Sequence, residues 1–210
     1  MAIRVVLADD HNLVRQGIRS LLEREKLQVV AEASDGQELA RLAQAQQPDI
    51  AVLDISMPTL NGIDAARELA RTCPKTKTIL LTQHEEEQYI HEALEAGVRG
   101  YVLKSQVAND LLHAIQQVSR GGFYLSPGVS RAVVEAYRSR SHRAADPLSD
   151  RERQVLQLIA EGKSTKDVAS LLGISVKTAE SHRSRLMQKL DIHETASLVR
   201  YAVRRGLVQP

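Results

Sequence analysis

Five polar side chains in the first half of the chain stand at the ends of apolar runs. Asp9 and Asp10 follow Ile3 to Ala8, Asp54 follows Ile50 to Leu53, Thr82 follows Thr78 to Leu81, and Lys104 follows Gly100 to Leu103. Three carboxylates gathered at one place repel one another, so they call for a cation, and an all-oxygen donor set makes Mg2+ the expected ion. An Asp carboxylate beside such an ion is a competent nucleophile toward a phosphoryl group, because the ion neutralises charge on the transferring oxygens. Lys104 adds a second positive charge, and Thr82 offers a hydroxyl that can bond the new phosphoryl oxygens and so move its loop. Tyr101, three residues before Lys104, is placed to exchange exposed for buried positions as that loop moves. Taken singly, each has an ordinary use: an Asp after a strand usually caps a helix, the reading preferred for Asp35 and Asp64. Such a set after four of the strands makes coincidence a poor account.

Bringing these residues together requires a sheet whose strands all end on one edge. Short apolar runs alternate with amphipathic stretches, the pattern of strand-helix units on a parallel sheet, where ligands bind at the carboxyl ends of the strands. Five strands are expected, at Ile3 to Ala8, Gln28 to Ala33, Ile50 to Leu53, Thr78 to Leu81 and Gly100 to Leu103. Helices are expected at Asn12 to Glu23, Asp35 to Gln46, Asn61 to Ala70, Glu86 to Ala96 and Ala108 to Arg120. The apolar runs within them suit strands buried on both faces.

The text changes after Gly121-Gly122. A short helix from Val129 to Tyr137, on which Val133, Val134 and Tyr137 share a face, is followed by a polar, basic stretch to Pro147 without large aliphatics, which reads as a linker. The expected division is 1–122, a linker over 123–146, and a second domain over 147–210. Charge divides along the same line: Met1 to Leu125 carries 13 basic and 17 acidic residues, whereas Pro147 to Pro210 carries 11 and 7. The basic back is the part suited to a polyanion. Cys73 is the only cysteine, which rules out an intramolecular disulfide. With no signal-peptide pattern at the amino terminus and no apolar run long enough to span a bilayer, a cytoplasmic protein with no membrane partner is expected.

The second domain is expected to be all-α with four helices. Ser149 with Glu152 forms a capping-box signature for a helix reaching Glu161. A second helix starts at Ser164, and the turn Gly173-Ile174 leads to Ser175, the cap of a helix from Val176 to Leu190. Two helices joined by a short glycine-containing turn make a helix-turn-helix. On the third helix Ala179, His182, Leu186 and Leu190 recur at core spacing, leaving Lys177, Thr178, Glu180, Ser181, Ser184, Arg185 and Gln188 outward. Lys166, Lys177, Arg183, Arg185 and Lys189 can neutralise phosphates, although for any single one a solvated surface charge is the commoner use.

Two sets of motifs carry a family resemblance. Val5-Val-Leu-Ala-Asp-Asp-His11, Asp49-Ile-Ala-Val-Leu-Asp-Ile-Ser-Met-Pro58 with Asn61-Gly62, and Gly100-Tyr-Val-Leu-Lys-Ser105 resemble the receiver domain of response regulators, over Met1 to Gly121. Leu148-Ser-Asp-Arg-Glu-Arg-Gln-Val-Leu and Ser175-Val-Lys-Thr-Ala-Glu-Ser-His-Arg-Ser-Arg-Leu-Met-Gln-Lys-Leu190 resemble the LuxR-type helix-turn-helix, and the pairing resembles the NarL/FixJ class. The resemblance implies a five-stranded flavodoxin-like α/β receiver joined to a four-helix DNA-binding domain. It implies that Asp54 accepts phosphate from a sensor histidine kinase, and that Asp10, Asp54 and the Ser56 carbonyl bind Mg2+ directly while Asp9 contacts it through water. Thr82, Tyr101 and Lys104 would be the switch residues, and Glu180, Ser181 and Ser184 the base-facing positions. The last helix, Glu194 to Arg205, is where the class pairs two domains on DNA, with Val199, Ala202 and Val203 the residues expected at the contact and core packing their competing use. Two departures stand out: Ser105 occupies a position where relatives often have proline, and Gln83 is larger than the usual Ala or Gly. The rival of a phosphatase with an aspartyl-phosphate intermediate is weakened because Ser56 stands where haloacid dehalogenase-like phosphatases usually carry a second Asp. A helical domain that grips a protein instead of DNA is the other rival, and steep salt dependence of nucleic-acid binding discriminates it.

Overall fold

The computed structural model describes residues 2–83, 87–130 and 147–208, with only the backbone of Glu87 and Gln88. Two compact units divide the chain, Met1–Arg140 and Ser141–Pro210.

In the first unit, strands β1 (Arg4–Ala8), β2 (Gln28–Ala33), β3 (Ile50–Asp54), β4 (Lys77–Thr82), β5 (Gly100–Leu103) and β6 (Tyr124–Leu125) form one sheet in the order β2-β1-β3-β4-β5-β6, every pairing parallel. Helices α1 (Asn12–Arg24), α2 (Gly36–Gln46), α3 (Gly62–Thr72), α4 (Glu87–Glu95) and α5 (Val107–Ser119) cover its faces. Period-two alternation sorts the strand residues. Val5, Leu7, Ile50, Val52, Ile79, Leu81 and Val102 pack with Ile18 and Leu22 of α1 and with Leu111, Ala114, Ile115 and Val118 of α5. On the opposite face Val6, Ala8, Leu53, Leu80 and Tyr101 meet the apolar sides of α2, α3 and α4. The order reverses at β1, so the loops after β1 and β3 open a crevice on the carboxyl edge.

The expected sheet of five strands gains a sixth. Tyr124 and Leu125 pair with Gly100 and Tyr101 of β5, within the stretch read as the start of the linker. Two residues are too few to display a period, and what makes them a strand is the open edge of β5, a long-range feature. Residues 127–130 are helical. The rest of the expected helix to Tyr137, with Val133 and Val134, lies outside the described residues, as does Glu86 at the expected start of α4.

In the second unit α6 (Asp150–Ala160), α7 (Thr165–Leu171), α8 (Val176–Leu190) and α9 (Thr195–Arg204) enclose a core of Leu148, Val155, Leu156, Leu158, Ile159, Val168, Ala169, Ala179, Leu186, Leu198, Ala202 and Leu207. Ser149 and Glu152 form the capping box expected from their spacing, and Ser164 with Asp167 forms a second. Ser175 caps α8 by accepting from the Thr178 N–H. Between α7 and α8 Gly173 takes φ +62°, and Ile174 N–H donates to Ala169 O at 3.0 Å, closing α7 and turning the chain toward α8. A side chain in that left-handed conformation would be strained.

Candidate functional site

Asp9, Asp54, Thr82 and Lys104 arrive at one edge because each lies at the carboxyl end of a strand held in register with its neighbours. Asp9 continues β1 and its N–H donates to Ala33 O at 3.3 Å, while Asp54 ends β3 opposite Leu81. The Lys104 ammonium lies 2.9 Å from Asp9 Oδ2 and 2.9 Å from Asp54 Oδ2. Asp9, Asp54 and Thr82 are buried, whereas Asp10 is exposed and bears against His11, with Asp10 Oδ1 2.7 Å from His11 Nδ1. Asp9 Oδ1 accepts from the His11 N–H at 2.8 Å, and Arg15 Nη1 donates to Asp9 O at 2.6 Å.

Burial pushes the Asp54 carboxyl above its ordinary range, and the neighbouring Asp9 and Asp10 push the same way, with Lys104 opposing. Burial pulls the Lys104 ammonium down, but Asp54 and Asp9 outweigh it and leave that group above its ordinary value. The pocket thus holds more negative charge than its single lysine compensates. Asp9, Asp10, His11 and Asp54 offer ligand atoms that all lie within 4.8 Å of one another, so the described residues fit one small cation. The carboxylate oxygens are the donors a hard divalent ion prefers, and His11 is a neighbour that the sequence reasoning did not single out.

Behind the pocket the start of α3 abuts β3. The Gly62 N–H donates to Ile55 O at 2.9 Å, and Asn61 caps the helix by accepting from the Asp64 N–H at 2.9 Å. The capping residue here is Asn61 rather than Asp64, which lies within the first turn, accepts from Asn61 Nδ2 at 2.9 Å and pairs with Arg67, whereas Asp35 caps α2 by accepting from the Glu38 N–H, as read from the sequence. Tyr101 is buried in the apolar cluster beneath α4. The Lys104-Ser105 bond is trans, and a 3-10 turn, Lys104–Gln106, leads directly into α5.

In the helical unit Lys166, Lys177, Thr178, Glu180, Ser181, Ser184 and Arg185 are exposed, and Arg183 is half-buried with its guanidinium on Thr195 Oγ1 at 2.9 Å. Lys189 is engaged elsewhere: its ammonium sits 2.6 Å from Glu152 Oε2, which makes it a tie between α8 and α6. Spacing along α8 places Lys189 near the residues expected to face phosphates, but only packing discloses the acidic partner on another helix. Ala202 is fully buried and packs in the core, so of the three residues expected at the dimer contact, Val199 and Val203 alone keep exposed surface. His182 is half-buried on the flank of α8.

Burial pushes the Glu152 carboxyl up, but hydrogen bonds from Lys189 and Ser149 outweigh it and hold the group below its ordinary range. A carboxylate with a depressed folded-state pKa stabilises the fold above its unfolded value, near 4.3, and loses that contribution as pH falls through the lower folded value. Glu152→Gln is therefore expected to cost about 1–3 kcal/mol at pH 7, the loss of charge-assisted hydrogen bonds to a buried acceptor. Helical circular dichroism during thermal unfolding of the full chain should show the gap between variant and native protein closing below about pH 4.

Known proteins share this architecture. Residues 5–116 match the family described as response regulator receiver domain, and residues 146–202 match bacterial regulatory proteins, luxR family. The chain belongs to the response regulators of two-component systems that join a receiver to a LuxR-type helix-turn-helix domain. It is similar to the transcriptional regulatory protein MctR of Rhizobium johnstonii, 38% identical over 98% of this chain and 95% of that protein. It is also similar to the oxygen regulatory protein NreC of Staphylococcus haemolyticus, 35% identical over 98% of this chain and 99% of that one. Among solved structures, a complex of the response regulator RcsB with DNA covers 96% of this chain and 98% of its own at 29% identity, with a TM-score of 0.61. A LuxR-family response regulator from Aurantimonas matches 66% of this chain and all of its own at 35% identity, TM-score 0.64.

Proposed function

We propose that this protein is a phosphorylation-controlled transcription regulator in which Asp54 takes a phosphoryl group from a sensor histidine kinase and α8 reads promoter DNA. The observation that carries the reading is the Lys104 ammonium bridging Asp9 and Asp54 at 2.9 Å on the crevice edge, beside an acidic set suited to one divalent ion. An Asp54 oxygen forms the new bond to phosphorus as the bond from the donor imidazole nitrogen breaks, and the imidazole keeps the electron pair and takes up a proton. Asp10, Asp54 and the Ser56 carbonyl, with Asp9 behind them, would hold Mg2+, whose charge offsets that on the transferring oxygens. Lys104 supplies the second positive charge, and Thr82 and Tyr101 respond as the pocket rearranges.

In this reading the receiver occupies 1–122, the linker 123–146 and the DNA-binding domain 147–210. The exposed side chains Glu180, Ser181 and Ser184 face bases, while Lys166, Lys177, Thr178, Arg183 and Arg185 hold phosphates. Two copies pair through α9 with Val199 and Val203 at its flanks, one copy per half-site. The chain turns over no substrate, since Ser56 stands where a hydrolase of aspartyl-phosphate type has its second carboxylate. It works in the cytoplasm, where DNA and kinase meet. No described helix is long and apolar enough to cross a membrane.

The test is DNA affinity of the full chain with Mg2+, with and without a small acyl phosphate. Phosphorylation is expected to tighten binding by about 5–150-fold, the usual span of coupling between two sites. Unchanged affinity would defeat the switch. Arg185→Ala is expected to weaken binding across DNA sequences and to lower the slope of log affinity against log salt by about 1 for each domain on DNA. A slope equal to the native one would remove Arg185 from the phosphate contacts.

A further inference from the structure

The sixth strand brings the beginning of the linker to the strand that carries Tyr101 and Lys104. The Ser126 N–H donates to Tyr101 O at 3.0 Å, and the Leu103 N–H donates to Ser126 Oγ at 3.2 Å. Ser126 Oγ in turn donates to Asp110 Oδ2 at 2.6 Å, in the first turn of α5. Ser126 is completely buried, so a hydroxyl there is held by partners and not by water. Three residues on, Val129 is also fully buried and shares an apolar cluster with Tyr101, Leu103, Ile90 and Ala93. Linker residues thus touch the chain on both sides of the lysine that faces the phosphoacceptor.

We propose that Ser126, gripped by Asp110, is a positioning residue that couples Lys104 to the linker, so that phosphorylation loosens the linker's first turn from the end of β5. The inference rests on the functional reading above, and it adds the route by which the pocket addresses the rest of the chain. A phosphoryl group brings further negative charge to Asp54 and draws the Lys104 ammonium toward it from the position shared with Asp9. Leu103 is the residue before Lys104, and its N–H to Ser126 Oγ, at 3.2 Å, is longer than the bonds from Ser126 to Tyr101 and to Asp110. A shift of a few tenths of an ångström takes that bond past the useful range of a hydrogen bond. With it gone, the buried Leu103 N–H and Ser126 Oγ each lose a partner, and the arrangement holding Val129 in the cluster is weakened. The coupling needs only that the linker's first turn have two positions and that Asp54 phosphorylation favour one of them.

The experiment uses the full chain with Mg2+ and a small acyl phosphate as donor. Ser126→Ala and Asp110→Ala are expected to take up phosphate to within about twofold of the native protein while the affinity gain on DNA shrinks at least about fivefold. Asp110→Asn, which keeps an acceptor oxygen for Ser126, is expected to restore most of the gain. Amide hydrogen exchange at Leu103 and Ser126 is expected to accelerate in the native protein on phosphorylation, without DNA present. Full retention of the affinity gain in both alanine variants would overturn the proposal, as would parallel loss of phosphate uptake, which marks mere upkeep of the fold. Unaltered exchange at Leu103 and Ser126 would also overturn it even where native DNA binding responds to phosphate. Accelerated exchange without any native affinity gain would support the latch and count against the transcriptional switch instead.

Discussion

Replacing Asp54 by alanine is expected to abolish uptake of phosphate from an acyl phosphate and, with it, the whole phosphorylation-dependent gain in DNA affinity, about 5–150-fold in the native protein. Among the described carboxylates of the pocket, Asp54 ends β3 beside the Lys104 ammonium, and Asp9 is already engaged by Lys104 and the His11 N–H. Asp10 is exposed and turned to His11. Neither is placed to replace the missing nucleophile. Binding of the unphosphorylated variant should stay near the native level, because the substitution lies in the other unit. Asp54→Asn, which preserves volume, adds a stability readout: burial disfavours the ionised Asp54, so the amide should raise the metal-free melting temperature. Mg2+ should then stabilise this variant less than it stabilises the native protein, because one ligand is neutral. Phosphate incorporation into Asp54→Ala at the native rate would place the acceptor elsewhere.

Gly62→Ala is expected to destabilise the receiver by about 3 kcal/mol, toward the upper end of overpacking penalties, and to cost on the order of 100-fold in phosphorylation rate. A Cβ at Gly62 would stand 2.0 Å from Asp54 O and 2.9 Å from Asp54 C. Both are backbone atoms, so no side-chain rotation relieves the clash. The start of α3 or the end of β3 must move by about an ångström to restore ordinary contact, and the end of β3 is where Asp54 sits. Gly36 makes a similar approach, with 2.2 Å from an added Cβ to Leu60 O, but Leu60 carries no reacting group. Gly36→Ala is thus the control, costing stability without a comparable loss in rate per folded molecule. Phosphorylation kinetics on thermally characterised full chains separate the two effects. Equal loss of rate in both variants would mean that general loosening, and not displacement of Asp54, governs the chemistry.

Much of the pocket was legible because a parallel α/β sheet imposes simple geometry. Once the apolar runs were taken as strands, the residue after each had to fall on the same edge, and Asp9, Asp54, Thr82 and Lys104 do. Helix starts were legible for a similar reason, since Asp35, Ser149 and Ser175 bond amides only three residues away. What could not be read there involves partners distant in sequence. Lys189 faces Glu152 across 37 positions, Ser126 reaches Leu103 across 23, and β6 exists because β5 offers a free edge. Ala202 could have faced a partner copy or the core, and the packing of α9 decided for the core.

By itself the amino-acid order determined the two kinds of element, the division between an acidic front and a basic back, and the identities of the groups able to do chemistry. All of these follow from periodicity, charge and short-range capping, which act within a few residues. Only the tertiary structure decided that one lysine bridges two carboxylates, that α3 leaves no room for a methyl group behind Asp54, and that the linker's first turn is fastened to the strand bearing Tyr101. Those outcomes depend on ångström distances between segments far apart along the chain, and such distances are set by close packing of the whole unit rather than by any local preference.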